Sequence, residues 1–357
     1  MDPDILCIQE GPSVGNVARL EAFCEDFLDD QWRVVKRPAN ERYGIRGSQG
    51  IFFLVRSSLW GELEPRLLPN AAWIEATELE SRVDRRLEGS GEHQGAWPII
   101  HPLFKAPDED VEDELEDGAE SEPPLDDDEH RHYRHPQVLV CTFKGRRFDV
   151  VGVHLKSKFG GELYEKAGKA RAKALKSAAE RKLIREVEQI SVSNRIKIST
   201  EATNVRYYIE NRFHNEPNPA IFLAGDLNDG IGKEVFERKY VFHDLISNLQ
   251  GDVFVANRFL NHALFDYSST GAENHRWTAR FKDVWDPHRP EEVLLDHIMF
   301  TQGLVGENAL EDTGMRVRAG AGKVEHKIHN AANAMFNQES DFTSDHRPVS
   351  VTVHTQP

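Results

Sequence analysis

Five short segments of the sequence place carboxylate, amide or imidazole side chains at the end of an apolar run or just before one. They carry Glu10 (IQE), His154 (VGVHLKSK), Asp226 and Asn228 (FLAGDLND), Asp296 and His297 (LLDHIMF), and Asp345 and His346 (TSDHRPVSV). Such groups bind metal ions and transfer protons, and strand ends are where a rigid scaffold presents functional groups. Each segment alone is compatible with a solvated strand end, a buried histidine or a turn. The ordered set of five favours one shared site.

Apolar patterning predicts the elements that would position these segments. Continuous or alternating apolar runs indicate strands, and apolar residues at helical spacing indicate helices. The predicted strands cover about 5–10, 50–56, 137–143, 147–153, 220–224, 294–300 and 348–353, and the predicted helices about 14–29, 163–190, 199–213 and 233–249. A Lys-Gly turn between two of the strands is a hairpin signal. Hairpins beside strand–helix alternation favour mixed sheets over a doubly wound parallel sheet.

The composition is that of a globular protein. The 357 residues are enough for one large α/β domain with insertions, and we interpret the chain 1–357 in this way. No run of 18 apolar residues occurs, which excludes a membrane-spanning helix, and the N-terminal residues show no secretory signal. Three cysteines without metal-ligand spacing argue against a disulfide framework or structural zinc. These features predict a cytoplasmic protein.

Charge is distributed unevenly along the chain, whose net charge is −16. The stretch 108–129 holds 14 acidic residues and no basic ones, within a weakly periodic region of about 60–136. We predict that 60–136 is an insertion and that 108–129 is disordered. The stretch 144–185 holds 13 Lys and Arg against four acidic residues. This basic stretch either follows a phosphate backbone or is a solvated helix face.

The order QE, HLKS, GDLND, LDHI and SDHRPV resembles the endonuclease/exonuclease/phosphatase superfamily, and in particular its deoxyribonuclease-like members. The resemblance runs from residue 5 to 353, apart from the 60–136 insertion. It implies an α/β (α+β) fold, a four-layered αββα sandwich of two mixed sheets flanked by helices. It also implies hydrolysis of a phosphoester with Mg²⁺ or Mn²⁺ at one end of the sheets.

The resemblance also implies a role for each site residue. In the family such a glutamate is the metal ligand, the last histidine activates or positions the attacking water, and a carboxylate pairs with that histidine. The matching residues are Glu10 as principal metal ligand, Asp345 as a second or outer ligand, His346 as the catalytic histidine, Asp296 as its partner, Asp226 and Asn228 as the pair that orients water and a phosphoryl oxygen, and His154 as a donor to the phosphate. His297 is expected to be structural, because adjacent strand residues point to opposite faces of a sheet.

The substrate is predicted to be DNA or RNA. GDLND followed by glycine, together with LDHI, looks more like bacterial nuclease-like members than inositol phosphatases. Lys156, Ser157 and Arg171 from the basic stretch are candidate substrate contacts, and Trp277 is a candidate for packing on a sugar or base. Two alternatives remain open. One is a phosphatase or phospholipase-type phosphodiesterase acting on a small or lipid phosphate, and the other is a non-catalytic binding module with the same fold.

One family feature has no match in this sequence. Family members usually carry an earlier strand whose asparagine helps to hold the metal or the phosphate, and the nine residues before Glu10 offer no candidate for it. A start codon placed too late, or a truncated sequence, would explain this. The alternative is a naturally shortened or permuted member, for which we expect an exposed sheet edge and weaker metal binding.

Overall fold

A computed structural model describes residues 2–12, 17–38, 40–41, 49–81, 96–98, 129–158, 161–230, 234–251, 258–265, 276–305, 314–338 and 341–355. Its strands are β1 (Ile5–Gly11), β2 (Trp32–Val34), β3 (Gly50–Arg56), β4 (Arg66–Leu67), β5 (Ala96–Pro98), β6 (Glu129–Arg131), β7 (Gln137–Phe143), β8 (Arg146–His154), β9 (Ala220–Asp226), β10 (Leu260–His262), β11 (Ala279–Arg280), β12 (Glu292–Val293), β13 (Asp296–Thr301), β14 (Arg316–Val324) and β15 (Val349–His354). Its helices are α1 (Val17–Leu28), α2 (Trp60–Leu63), α3 (Asn70–Ser81), α4 (Gly161–Arg171), α5 (Ala178–Asn215), α6 (Val235–Tyr240), α7 (Leu245–Gln250) and α8 (His326–Asn333). The predicted acidic segment 108–129 lies outside the described residues, apart from Glu129 at the start of β6.

Two sheets organise the described chain. The smaller has the strand order β1-β3-β2 and is antiparallel throughout. The larger has the order β10-β13-β9-β8-β7-β4 and is mixed, because β8 and β9 run parallel while their neighbours are antiparallel. Strands β14 and β15 form a separate antiparallel pair.

The layers follow the order that the sequence predicts. Side chains of β3, including Phe53 and Leu54, share one core cluster with α1 and with the near face of the large sheet, and the β14–β15 pair packs against the same cluster. The far face of the large sheet packs against α3, α5 and α7 in a second cluster. Each fully buried Leu or Phe in these clusters contributes about 1.5–3 kcal/mol relative to an exposed one. The α/β sandwich with helices outside two sheets is therefore confirmed.

Two predicted helices have different bounds in the structure. The predicted helix 163–190 is interrupted: α4 ends at Arg171, and α5 begins after Ser177, whose side chain and that of Glu180 form a capping box. The predicted helix 199–213 is the continuation of α5. The predicted helix 233–249 is likewise two helices, because Val241 adopts a left-handed conformation after α6 and Asp244 caps α7. Local capping residues overrode the apolar periodicity in both places.

The beginning of the predicted insertion belongs to the fold. Strand β4 pairs with β7 and forms one edge of the large sheet. Helix α3 packs on α5, where the rings of Trp73 and Tyr208 stack with centroids 5.0 Å apart. Residues 60–81 are therefore integrated into the sandwich rather than inserted into it.

The predicted hairpin is confirmed. Strands β7 and β8 pair in register from Gln137–Gly152 to Phe143–Arg146, and Lys144 and Gly145 both have positive φ angles between them, of 49° and 77°. Two consecutive left-handed residues suit the twist of a tight hairpin. Of the helices described, none combines the length and the apolar character needed to cross a bilayer.

Candidate active site

Three site residues lie side by side at one end of three neighbouring strands in the middle of the large sheet. In the parallel β8–β9 pairing, His154 is the partner of Asp226, and in the antiparallel β9–β13 pairing, Asp226 is the partner of Asp296. Directly paired residues project from the same face of a sheet. These three therefore point toward the small sheet, as do Phe222 and Phe300 further along the same strands.

His346 joins this row from the loop before β15. Its Nδ1 atom lies 2.8 Å from Oδ2 of Asp296. Burial by itself would lower the pKa of His346, but the hydrogen bond to Asp296 and the charges of Asp296, Asp226 and Asp345 raise that pKa to about 9. The bond fixes the ring with its Nε2 atom directed away from Asp296.

Asp226 is the buried centre of the arrangement. Burial, and then the charge of Asp296, raise its pKa to about 7, while His346, the amide of Asn228 and Arg134 oppose the shift. The backbone N–H of Asn228 donates to Asp226 Oδ1 (2.7 Å), and the Asn228 side chain donates to the Leu155 carbonyl (2.8 Å). Asn228 is thereby held with a left-handed φ of 47°.

His154 is a neutral imidazole beside Asp226. Its Nε2 atom is 3.4 Å from Asp226 Oδ2, and burial, with the charge of Arg134, lowers its pKa to about 3. Its buried Nδ1 atom has no hydrogen-bond partner among the described residues. A buried polar atom without a partner costs stability, so this nitrogen is placed as it would be for contact with a ligand.

Gln9 ties the two sheets together beneath this row and was missed by the sequence reasoning. Its side-chain oxygen accepts from the Asp226 amide (2.9 Å), and its side-chain nitrogen donates to the Val153 carbonyl (2.6 Å). Gly225 makes this possible: its φ is 145°, and a Cβ there would lie 2.1 Å from the Gln9 amide nitrogen and 1.9 Å from the Val153 oxygen. The glycine of GDLND is thus required because the Gln9 side chain and the Val153 carbonyl approach its backbone closely. The sequence alone does not distinguish such a glycine from one in a turn.

Glu10 lies at the adjoining end of β1. It is exposed, has a φ of 53° and accepts a hydrogen bond from the Gln49 side chain (2.9 Å). The Gln49 oxygen in turn accepts from Arg134. The guanidinium of Arg134 interacts with the charges of Glu201, Asp226 and Glu10. Arg134, three residues before the start of β7, is therefore a cation common to both acidic parts of the site, and no motif of the sequence predicted it.

Thr278 forms hydrogen bonds with the backbone on both sides of the Asp296–His346 pair. Its hydroxyl oxygen accepts from the backbone N–H groups of Leu295 (3.0 Å) and Asp296 (3.1 Å). Its carbonyl accepts from the Arg347 amide (2.8 Å), next to His346. One buried threonine thus connects the strand that carries Asp296 to the loop that carries His346. Sequence reasoning missed it too.

The other predicted residues lie around this centre. Asp345 is exposed, and its charge contributes to the raised pKa of His346. Lys156 donates its backbone N–H to Glu201 (2.7 Å), and Ser157 follows it, half-buried. Arg171 is engaged elsewhere, because its guanidinium donates to the Trp285 carbonyl (2.6 Å) and lies over the Trp285 ring.

Trp277 is covered on one side by Arg347. The guanidinium carbon lies 3.5 Å from the centroid of the indole, and the ring of His326 is 5.0 Å away. A cation over an indole face is a stabilising contact. The predicted packing of Trp277 on a sugar or base would have to use a surface that this contact leaves open.

Four lysines of the predicted basic face pair with glutamates close by in the chain. Lys166, Lys169 and Lys182 each lie within 3.5 Å of a glutamate one helical turn away, and Lys173 bonds Glu180 (2.5 Å). Exposed pairs of this kind add little stability, but they reduce the local positive potential. The face 144–185 is therefore less basic in effect than its residue count indicates.

The donor set suits a divalent cation. Ligand atoms of Asp226, Asp296 and His346 all lie within 4.8 Å of one another. Burial, and after it repulsion from the neighbouring Asp296 carboxylate, raise the pKa of Asp226, and a cation between the two carboxylates would relieve that repulsion. Carboxylate oxygens are the ligands that Mg²⁺ and Mn²⁺ prefer.

No family model matches the sequence, and no curated protein matches it. Several solved structures are similar. A truncated TDP2 from Caenorhabditis elegans is 12% identical with a TM-score of 0.40, and the alignment covers 97% of this chain and 82% of that one. In a second structure of TDP2 from the same organism, the alignment covers 97% of this chain and 63% of the TDP2 chain. The APE2 catalytic domain from Xenopus laevis is 12% identical with a TM-score of 0.41 (100% and 85% coverage), and the human Nocturnin catalytic domain with bound sulfate is 14% identical with a TM-score of 0.38 (98% and 82%). All three are members of the endonuclease/exonuclease/phosphatase superfamily. At these identities and TM-scores, the likeness does not define the reaction of this chain.

Proposed function

We propose that this protein is a divalent-metal-dependent phosphodiester hydrolase that acts on nucleic acid. The observation that carries the proposal is the convergence of His154, Asp226, Asp296 and His346 at one end of the central strands of the large sheet, with Asn228 held against Asp226. A charged histidine paired with one carboxylate and facing a second, buried carboxylate suits the positioning of water beside a phosphoryl group.

Each residue has a distinct part in the proposed reaction. Asp296 holds the His346 ring through Nδ1, so that Nε2 faces the water that attacks the phosphorus. Asp226 and Asn228 orient that water and a phosphoryl oxygen. His154, which is neutral because burial lowers its pKa, donates a hydrogen bond to the phosphate. Arg134 adds positive charge at the same place and binds the phosphate of the substrate.

Glu10 and the carboxylates of Asp226 and Asp296 are the proposed ligands of Mg²⁺ or Mn²⁺, with Asp345 as an outer ligand. When bound, the cation supplies charge that neutralises the phosphoryl oxygens as the ester bond breaks. The charges of Glu10 and Asp226 both act on the guanidinium of Arg134.

The preference for nucleic acid rests on the resemblance of the motif order to deoxyribonuclease-like proteins. The paired lysines on α4 and α5 do not add to it. Lys156 and Ser157, which directly follow His154 and Leu155, remain proposed substrate contacts, whereas the contacts of Arg171 and Trp277 direct those side chains toward Trp285 and Arg347.

The test is hydrolysis with Mg²⁺ or Mn²⁺ of supercoiled plasmid, linear DNA, RNA and bis-p-nitrophenyl phosphate. We expect cleavage of a nucleic acid that disappears with EDTA and in His346→Ala. His243→Ala, which removes an exposed histidine distant in sequence, is the matched control and should retain activity. Cleavage that survives His346→Ala would contradict the mechanism. Activity on the small diester alone would favour a phosphodiesterase of small substrates, and binding without cleavage would favour a binding module.

A further inference from the structure

Two buried histidines outside the catalytic row form a chain of hydrogen bonds. His262 on β10 and His297 on β13 face each other with Nε2 of His262 2.8 Å from Nδ1 of His297. Nε2 of His297 is 2.8 Å from the carbonyl oxygen of Asp229. The two rings are nearly fully buried, with 8% and 1% of their surface exposed. They lie on the opposite side of β13 from Asp296.

The hydrogen-bond partners fix the tautomer of each ring. The backbone N–H of Leu264 donates to Nδ1 of His262 (3.1 Å), so that nitrogen carries no proton and Nε2 does. The proton on Nε2 of His262 points at Nδ1 of His297, which must therefore accept. His297 consequently carries its proton on Nε2 and donates it to Asp229. The chain runs in one direction and needs both rings to be neutral.

The chain ends at the turn that carries the catalytic groups. Asn228 has a left-handed φ of 47°, a conformation that asparagine tolerates better than most residues other than glycine, and hydrogen bonds on either side hold it in place. Asp226 and Leu155 fix the turn on one side of Asn228. On the other side, the next carbonyl, that of Asp229, is the acceptor of His297.

We propose that His262 and His297 are positioning residues that hold the turn 226–229 in the geometry needed for hydrolysis. The inference rests on the proposed function, because it assigns these residues a part in the same reaction. It goes beyond the row of residues at the strand ends, since neither histidine contacts the substrate. His262 acts through His297, and His297 acts through the carbonyl of Asp229.

A pair of nearly isosteric substitutions at His297 tests the proposal. His297→Gln retains an amide N–H at the position of Nε2, whereas His297→Met removes it. We expect His297→Met to lower kcat by about 10- to 100-fold, the cost of a small misplacement in an active site. KM should remain within about twofold, because binding of the substrate is not changed. His297→Gln should recover most of the lost kcat.

Thr301→Val is the matched control. Thr301 is fully buried on the same strand, and its hydroxyl donates to the Pro219 carbonyl (2.6 Å) at the far end from the site. Its loss should lower the melting temperature while leaving kcat unchanged. If His297→Met behaves in the same way as Thr301→Val, the histidines are merely structural and the proposal is overturned.

A second measurement does not depend on activity. In ¹⁵N-labelled protein, the two rings should both appear as Nε2–H tautomers with slowly exchanging ring protons. His262→Phe should eliminate one signal, shift the other and accelerate hydrogen exchange at the Asn228 amide. Nδ1–H tautomers, or an unchanged rate of hydrogen exchange at the Asn228 amide in His262→Phe, would overturn the proposed chain of hydrogen bonds even in an active enzyme. Failure of the proposed function would look different from failure of this inference. In that case the wild-type protein would have no activity that His346→Ala removes, but the spectrum of the two histidine rings would be as described.

Discussion

Nδ1 of His346 and Oδ2 of Asp296 lie 2.8 Å apart, although 50 positions separate the two residues in the sequence. The strand β13 supplies the carboxylate, and the loop before β15 supplies the ring. Thr278 accepts hydrogen bonds from the backbone of both segments. The pair is thus built by three distant parts of the chain, and its loss should be visible in the rate without loss of the fold.

Removal of the negative charge from this pair should impair catalysis. In Asp296→Asn the side chain has nearly the same shape, but it no longer stabilises a charged His346 ring. We expect kcat on DNA or RNA to fall by about 10²- to 10⁴-fold, the range typical of general acid–base groups. Asp286→Asn, which removes a carboxylate paired with Arg238 (2.5 Å), should leave kcat unchanged. A wild-type kcat in Asp296→Asn would contradict the role of the pair.

The amide of Gln9 should contribute measurably to stability. Gln9→Leu leaves the Asp226 amide and the Val153 carbonyl without their partner at the join of the two sheets. We expect the free energy of unfolding in urea to fall by about 1–3 kcal/mol. Gln250→Leu is the control, because it removes one long hydrogen bond of 3.3 Å to the Leu260 carbonyl. An equal loss of unfolding free energy in the two variants would show that the hydrogen bonds of Gln9 between the sheets contribute no more than an ordinary side-chain hydrogen bond.

Stability should decline as the pH falls from 7 to 5. Burial lowers the pKa of His154 to about 3 and of His262 to about 2, so both rings stay neutral in the folded protein. In the unfolded chain they take up protons below about pH 6.5, and the unfolded state is then favoured by up to about 1.4 kcal/mol per pH unit for each ring. The contribution of these two rings to stability is therefore complete above their unfolded pKa and lost progressively below it.

The contribution of one ring to this pH dependence is separable. His262→Gln should make the decline of the unfolding free energy between pH 7 and pH 5 shallower, whatever its effect at pH 7. His243→Gln, at an exposed position, should leave the slope unchanged. The measurement is urea denaturation at several pH values, and parallel curves for wild type and His262→Gln would contradict the prediction.

Divalent cations should stabilise the protein through Asp226. A ligand that binds only the folded state at 100 times its dissociation constant adds about 2.7 kcal/mol. We expect Mg²⁺ or Mn²⁺ to raise the melting temperature of the wild-type protein and to have little effect on Asp226→Asn. Asp244→Asn, which alters the cap of α7, is a control that should respond as the wild type does. An undiminished response of Asp226→Asn would place the cation elsewhere.

Arg134 should matter for substrate affinity. Its guanidinium lies among Glu201, Asp226 and Glu10, so Arg134→Gln removes the charge that meets the phosphate. We expect KM on nucleic acid to rise by about 10-fold or more, since a charge-assisted hydrogen bond contributes about 1.5–3 kcal/mol. Arg134→Lys should recover part of the lost affinity. Arg66→Gln, at an exposed position on β4, is the control and should leave KM unchanged. An unchanged KM in Arg134→Gln would exclude the contact.

The sequence by itself determined the order of the seven predicted strands along the chain, the hairpin and the segments that carry the candidate catalytic groups. Short continuous apolar runs such as IFFLV and AIFLA, rich in branched and aromatic residues, favour buried strands, and the polar residues that follow them then lie at the strand ends. For the same reason, the opposite orientation of His297 and Asp296 was predictable from strand alternation alone.

Only the tertiary structure decided which of these strand ends meet. The pairing of β9 between β8 and β13 brought Asp226 beside both His154 and Asp296. Long-range contacts also determined the roles of Gln9, Arg134 and Thr278, which carry no local signal because their hydrogen-bond partners are distant in the chain. Conversely, Arg171 and Trp277 fit their predicted role by residue type, but their nearest partners proved to be Trp285 and Arg347. Sequence patterns report which face of an element is buried, whereas contacts between elements depend on how the sheets pack, which no local pattern encodes.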